Sequence, residues 1–329
     1  MPKRVRPLLA TPALAGVLFV ALVGVGCGDD ETTSSSATQP APSASDFPSA
    51  KGQTLDELLA STEPTTELVA SPSGMVFTLG ENRFGFGLFT VSREQVTDAE
   101  VAIYAAPGAD GEAIGPLPAR IESLATDSSF EAATTANDPD AAKAVYVTDI
   151  DFDKPGEWRL LAMIRQDDGK LVATRLPSVE VADDHEVPAV GDKAPSVDTP
   201  TVEEVGDVGK IDTRDPHDTM HDVNLADVLG KKPVVLLFAT PALCVSRVCG
   251  PVVDVAEQVK SERPDDAAFI HMEVYNDNDP NKGIRPQLQA YGLKTEPWLF
   301  VIDSDGRVST RIEGAFSVEE LDAALDEAQ

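Results

Sequence analysis

Two cysteines placed between a buried strand and a helix constrain this chain more than any other feature. Residues 233–238 form a nearly continuous apolar run, which is typical of a strand buried on both faces. Cys244 and Cys249 follow, and after Gly250-Pro251 apolar residues recur at helical spacing. Because proline suits the first turn of a helix, the sequence predicts a helix over residues 251–262 with Cys249 at its start.

This position of Cys249 favours thiol chemistry. Unpaired N–H groups and the positive end of the helix dipole stabilise a thiolate, and the thiolate is the form that attacks disulfides. We therefore predict that Cys244 and Cys249 are the catalytic residues and that they form a reversible disulfide.

The first residues have the pattern of a secretory signal. Lys3, Arg4 and Arg6 precede an apolar run over residues 8–25, and Gly26-Cys27 comes next. This junction resembles the cleavage site of bacterial lipoproteins, which implies lipidation of Cys27 and a protein anchored to the outer side of the cell membrane. An uncleaved transmembrane helix is the alternative, since the run is long enough to span a bilayer.

The next stretch and the overall charge limit the classes of partner. Residues 28–51 are rich in Ser, Thr, Ala and Pro, a composition that predicts a disordered tether. The chain has 26 Lys and Arg against 56 Asp and Glu, and its net charge of -30 excludes nucleic acid as a partner bound by charge. If Cys27 carries lipid, the two remaining cysteines can pair in an oxidising compartment.

Residues 52–185 are predicted to form an all-β sandwich. Apolar residues alternate over 83–88, 100–104, 143–147 and 157–164, and Pro-Gly and Asp-Gly turn signals separate these runs. The phrase over residues 151–158 resembles a late-strand signature of immunoglobulin-like domains in bacterial envelope proteins. Trp158 is expected in the core. No periodicity assigns the polar stretch 117–140 to an element.

Residues 186–329 are predicted to form a separate α/β domain, after an acidic, proline-containing boundary at 183–188. There, strands alternate with helices. The predicted strands are 233–238, 268–275, 298–303 and 307–312, with a hairpin turn at 303–306, and the predicted helices are 251–262, 283–291 and 317–328.

This domain resembles the thioredoxin-like superfamily, in its extracytoplasmic branch of TlpA-type reductases, peroxiredoxins and Sco-type proteins. The resemblance lies in three segments. They are Gly191-Asp192-Lys193-Ala194-Pro195, the stretch over residues 225–233 that leads into the central strand, and Thr295-Glu296-Pro297-Trp298, where the family keeps a cis-proline. It implies a central mixed sheet with flanking helices, a thiol-disulfide oxidoreductase without a cofactor, and protein thiols or disulfides as partners.

The resemblance also implies a substrate-binding surface beside the cysteines. In this family the backbone next to the cis-proline pairs with an incoming peptide. The residues that this implies for substrate binding are Thr240, Pro241, Glu296, Pro297 and Trp298.

The spacing of the cysteines departs from the family, because thioredoxins have Cys-x2-Cys and this chain has Cys-x4-Cys. Two alignments follow. Counted from Phe238, Cys244 takes the place of the nucleophile; counted from Gly250-Pro251, Cys249 does.

Other functions fit parts of the same motif. A structural disulfide closing so short a loop would contribute only about 2 kcal/mol. A cell-surface scaffold that keeps the fold without turnover is the main alternative to an enzyme. A peroxidase is suggested by Ser246-x-x-Cys249, and a copper chaperone by the two thiols, although Thr295 to Pro297 lack the histidine that Sco-type proteins carry there.

We predict no metal site. His217 and His221 occur with Asp215, Asp218 and Asp222, but an acidic surface loop is the commoner explanation of such a group. His271 lies in a predicted strand and is expected to be a packed core histidine.

Overall fold

The structure is a computed structural model that describes residues 38–329, which belong to one compact unit. Residues 1–37 lie outside the described part, so the predicted signal and the lipidation of Cys27 stay predictions. Among residues 38–329, no helix is long and apolar enough to cross a membrane.

The first half of the described chain consists mainly of strands. Two short helices, α1 (Leu55–Ala60) and α2 (Ala133–Ala136), accompany them. The strands are β1 (Glu63–Pro64), β2 (Leu68–Pro72), β3 (Phe77–Thr78), β4 (Gly80–Thr90), β5 (Val101–Pro107), β6 (Ile114–Pro118), β7 (Arg120–Ser123), β8 (Ala144–Phe152), β9 (Gly156–Arg165) and β10 (Leu171–Ala182).

These strands form two sheets that share a core. One sheet has the order β2-β4-β8-β7 and is antiparallel throughout. The other has the order β1-β10-β9-β5-β6, and β3 also pairs with β10. Phe84 and Tyr146 of the first sheet lie in one hydrophobic cluster with Ile103 and Trp158 of the second. Trp158 is buried, as predicted, and its indole N–H donates a hydrogen bond to the Lys154 carbonyl.

The predicted tether needs a correction at its C-terminal end. Phe47 and Ala50 are buried in a cluster with Tyr104 and Leu161, and the Gln39 backbone pairs with that of Ile121. Isolated apolar residues in a polar stretch are therefore enough to fix residues 38–51 against the β sheets, where the tether was predicted to continue to residue 51.

The second half of the chain alternates strands and helices, as the sequence predicts. Every element predicted between residues 233 and 328 is present, with ends shifted by up to a few residues. The elements are α3 (Val202–Val205), α4 (Leu225–Val228), β11 (Val234–Phe238), α5 (Cys249–Glu262), β12 (Ala268–Met272), α6 (Pro286–Ala290), β13 (Trp298–Ile302), β14 (Val308–Glu313) and α7 (Val318–Glu327).

The sheet of this region has the order β12-β11-β13-β14. Strands β11 and β12 are parallel and are connected through α5, whereas β13 is antiparallel to both of its neighbours. Alternate residues face opposite sides. Val235 and Leu237 lie in a cluster with α5 and α7, and Leu236 and Phe238 lie in a second cluster on the other face.

The two halves are joined by a polar contact that we call the clamp, made of Arg83, Arg120, Glu122, Ser317 and Glu320. Arg83 donates two hydrogen bonds to the Glu320 carboxylate, at 2.8 and 2.7 Å, and Arg120 donates a third at 3.0 Å. The Ser317 hydroxyl donates to Glu122 at 2.6 Å, and both residues are buried. The first turn of α7 is thereby fixed to strands β4 and β7.

The unassigned stretch 117–140 supplies the end of β6, all of β7 and α2, and an irregular segment that lies on α5. Leu124 shares the hydrophobic cluster of α5 and α7. Thr135 approaches the start of α5 so closely that a Cβ atom at Gly250 would lie 2.7 Å from its hydroxyl. The apolar residues of this segment show no helical or strand periodicity because it packs as irregular chain.

Candidate functional site

Cys244 and Cys249 lie between the end of β11 and the start of α5. They form a disulfide with their Cα atoms 6.0 Å apart, within the usual range for such a bond. Cys249 is the first residue of α5. Because the preceding residue, Val248, makes no capping hydrogen bond, no N-cap side chain satisfies the backbone N–H groups at the start of this helix.

The two sulfur-bearing residues differ in access. Cys249 is completely buried, whereas Cys244 is 8% exposed in the loop and its sulfur lies 3.1 Å from the Ser246 hydroxyl. Cys244 is therefore the more accessible of the two residues. The sulfur left behind would be that of Cys249, at the helix N-terminus, where a thiolate is stabilised. This geometry favours the alignment that makes Cys244 the nucleophile.

The loop that carries the cysteines is held by the irregular segment from the β region. Arg247 adopts a positive φ of 64°, which side chains other than glycine seldom adopt. Its carbonyl accepts a hydrogen bond from the Ala142 N–H, and its guanidinium pairs with Asp138 at 2.9 Å. Two contacts from outside the α/β region thus hold the conformation of the cysteine loop.

The segment before β13 has the expected backbone form. The Glu296–Pro297 peptide bond is cis, and the Pro297 carbonyl accepts a hydrogen bond from the Gly314 N–H. The Thr295 hydroxyl donates to Glu313 at 2.5 Å. Burial raises the pKa of Glu296 above its ordinary value.

Trp298 does not border the cysteines, contrary to the expectation from the resemblance. It is almost completely buried, stacks on Phe300 and donates its indole N–H to Thr295. It belongs to the cluster on the face of the sheet opposite the cysteines, whereas Leu299 faces them. Because β13 is buried on both sides, its apolar run has no period from which the face can be predicted.

An open groove of about 810 Å³, which we call the cysteine groove, runs between the cysteine loop and the β region. One wall includes Val69 of β2 and Phe89 of β4, and the other includes Val245, Val248 and Glu296. Of the residues predicted for substrate binding, only Glu296 lines it. Thr240 is fully buried, and Pro241 lines a separate pocket of about 540 Å³.

A second group of reactive side chains lies at the same end of strand β11 as the cysteine loop. Asp212, Asp218, His221 and His271, which we call the His–Asp cluster, are all buried, with one ligand atom from each within 4.8 Å of the others. His271 Nδ1 lies 2.7 Å from Asp218, and its Nε2 lies 3.2 Å from the carbonyl of Ala239, directly after β11.

The prediction that these histidines and aspartates form an acidic surface loop is wrong for two of the residues. Asp218 and His221 are buried, whereas Asp215, His217 and Asp222 are exposed as expected. His271 is buried, as predicted, but it is ion-paired. Asp212 was not among the residues predicted from the sequence, where its signal was its nearness to the other acidic residues and histidines.

The ionisation of the cluster follows from its pairing. Burial opposes protonation of His271, but Asp218 outweighs it and raises the pKa of His271 to about 10. Burial likewise opposes ionisation of Asp218, but the two histidines outweigh it and hold the pKa of Asp218 well below its ordinary value.

The strand order, the single antiparallel strand and the cis-proline before that strand give the second half of the chain a thioredoxin-like fold. No protein-family model and no curated protein matches the sequence.

Two similar solved structures come from Chlorobium tepidum. One is provisionally described as a thiol:disulfide interchange protein DsbE, with 19% identity and a TM-score of 0.29 over 42% of this chain and 99% of that one. The other is a thiol:disulfide interchange protein of the thioredoxin family, with 21% identity and a TM-score of 0.29 over 43% of this chain and 99% of that one.

Proposed function

We propose that the protein is an extracytoplasmic thiol-disulfide oxidoreductase, anchored by lipid on Cys27, with Cys244 as the nucleophile and Cys249 as the resolving cysteine. The observation that carries the proposal is the disulfide itself, with Cys244 slightly exposed in a loop and Cys249 buried at a helix N-terminus. We also propose that residues 52–185 form an immunoglobulin-like sandwich that helps to bind the partner.

The exchange reaction proceeds in two balanced steps. A thiolate of the partner attacks Cys244 Sγ, forming a mixed disulfide while the Cys244–Cys249 bond breaks and Cys249 leaves as a thiolate. A second partner thiolate then attacks the partner sulfur of the mixed disulfide and releases Cys244. The partner loses two electrons and two protons, which the cysteine pair gains. The reverse sequence reduces a partner disulfide.

The cysteine groove would hold the partner as an extended polypeptide. Strand β2 lies at the edge of its sheet and contributes Val69 and Ser71 to the wall, and Glu296 lies next to the cis-proline on the opposite side. Edge strands bind extended chains by main-chain hydrogen bonds. Val69, Phe89 and Val245 make the groove largely apolar, which favours an unfolded or exposed apolar segment as substrate.

The test is to trap mixed disulfides on the membrane fraction of cells expressing Cys249→Ser and Cys244→Ser. Cys249→Ser should retain partners covalently through Cys244, and Cys244→Ser should not. A Ser246→Ala variant carrying Cys249→Ser is the matched control and should still trap.

A second candidate is a scaffold that keeps the fold without turnover, because both cysteines are more than nine-tenths buried. It replaces the enzyme if neither variant traps a partner and if the disulfide of the wild type resists reduction to below about -300 mV.

A further inference from the structure

The His–Asp cluster has no part in the proposed exchange reaction, yet it places two imidazoles and two carboxylates together in the interior. We propose that it is a binding site for a divalent transition metal, with Zn²⁺ as the best-fitting ion. The ligands would be one carboxylate oxygen each from Asp212 and Asp218, Nε2 of His221 and Nδ1 of His271. This inference is independent of the cysteine chemistry.

The spacing of the donor atoms fits a single ion. Bonds of about 2.0–2.2 Å in a tetrahedron place neighbouring donors roughly 3.3–3.6 Å apart. His221 Nε2 lies 3.2 Å from Asp218 Oδ1 and 3.6 Å from Asp212 Oδ2, and His271 Nδ1 lies 2.7 Å from Asp218 Oδ2. Small side-chain movements would therefore seat an ion between the four groups.

His221 is the member that hydrogen bonding leaves unexplained. Its side chain is 3% exposed, and neither ring nitrogen makes a well-oriented hydrogen bond to any group in residues 38–329. Buried polar atoms are normally satisfied, and an unsatisfied one needs an explanation such as an ion. Since Nε2 points toward two carboxylates, a metal ion between them would supply the missing partner.

The surrounding contacts hold the ligands as metal sites require. The second nitrogen of His271 lies 3.2 Å from the Ala239 carbonyl, and metal-bound histidines usually donate their free N–H to such a group. Asp212 accepts backbone N–H groups from Arg214 and Asp218, at 2.7 and 2.8 Å. Asp218 accepts the Met220 N–H at 2.8 Å. The carboxylates are therefore fixed in position.

The donor set selects the kind of ion. Imidazole suits zinc and other late transition metals, whereas Mg²⁺ and Ca²⁺ prefer oxygen ligands only. Two carboxylates neutralise one divalent ion, so a buried site carries no net charge. The cluster also lies close to the surface: His217, whose side chain is 43% exposed, lies 3.4 Å from Asp212 Oδ2.

The experiment uses the full-length protein with its disulfide intact, stripped of metal with chelator and titrated with ZnCl₂ by calorimetry. We expect one Zn²⁺ per chain, unchanged in the Cys244→Ser/Cys249→Ser variant and not displaced by MgCl₂. His221→Phe keeps an aromatic ring beside His271, whose ring centre lies 5.2 Å away, but removes the donor. Its affinity should fall at least about 100-fold, because even outer-shell changes cost 10–100-fold. His185→Ala, a histidine outside the cluster, is the matched control and should bind as the wild type does.

X-ray absorption of the zinc-loaded wild type keeps the test decisive even if His221→Phe does not fold. Two imidazoles with oxygen ligands and no sulfur are expected. The site is refuted if the oxidised protein takes up no Zn²⁺, if a folded His221→Phe binds with wild-type affinity, or if the spectrum shows sulfur, which would place the ion at the cysteines.

Discussion

The β region and the region with the thioredoxin-like fold meet in two ways that differ sharply. At the clamp, Arg83 and Arg120 hold Glu320 by short hydrogen bonds, and the side chain of Glu320 is only 10% exposed. At the cysteine groove, the same two regions separate and leave an open space of about 810 Å³ beside Val245. The clamp fixes the relative position of the regions, whereas the groove leaves the loop between the two cysteines open to solvent. Stability and activity should therefore respond to different substitutions.

The largest effect is expected from replacing the two cysteines. Replacing either Cys244 or Cys249 by serine should reduce thiol-disulfide exchange to the uncatalysed rate, because no intramolecular disulfide can form. Insulin reduction and oxidation of a dithiol peptide measure the two directions. Both variants should keep the far-UV circular dichroism of the wild type. Wild-type turnover by both single variants would contradict the two-cysteine mechanism.

Breaking the clamp should lower the stability of the protein without changing its exchange activity. Glu320→Gln leaves Arg83 without a charged partner, so we expect a loss of about 3 kcal/mol in the free energy of unfolding, measured in urea at pH 7. Glu319→Gln, the exposed neighbour in the same first turn of α7, controls for the helix dipole and should cost less than about 0.5 kcal/mol. Exchange activity of folded Glu320→Gln should equal that of the wild type.

The same variant carries a pH signature. Burial opposes ionisation of Glu320, but Arg83 and Arg120 outweigh it and lower the pKa below its ordinary value of 4.5. A carboxylate with a lowered pKa stabilises the native state above its unfolded pKa, and this contribution is lost as the pH falls through the folded pKa. The difference between wild type and Glu320→Gln should therefore be constant from pH 6 to 8 and shrink below about pH 4.5. A difference that persists unchanged at pH 3 would argue against an ion pair.

Limited proteolysis tests whether the clamp holds the regions together after the chain is cut. Asp183, Asp184 and Glu186 are exposed between them, and we propose cleavage there, at the boundary between the two domains. Because Leu124 and Val145 share a hydrophobic cluster with α5, the fragments should co-elute in native gel filtration. Their separation without denaturant would show that the shared cluster and the clamp are weak.

The smallest effect is expected on the wall of the cysteine groove. Val245 is 89% exposed there, and Val245→Ser should raise the KM for an apolar peptide a few-fold with little change in kcat. Val190 is 64% exposed and lies outside this groove, so Val190→Ser is the matched control. An equal KM change in both variants would move the binding site elsewhere.

Sequence alone could predict the parts of the molecule that depend on local pattern. Strand β11, helix α5 with Cys249 at its start, and helix α7 follow from apolar spacing and proline placement. The His–Asp cluster could not be predicted in this way, because His271 comes from a strand more than fifty residues beyond Asp212. The packing of segment 124–142 on helix α5 could not be predicted either, because this segment has no regular structure for most of its length.

The clamp also has a consequence for the order of folding. Glu320 and Arg83 are 237 residues apart, whereas the two cysteines are separated by only five. Loop closure over such a distance costs more entropy, and contacts of this kind slow folding. During synthesis the cysteines can meet while α7 is still missing, and the clamp forms only when the chain is nearly complete. We therefore expect the cysteine loop to form earlier in folding than the clamp.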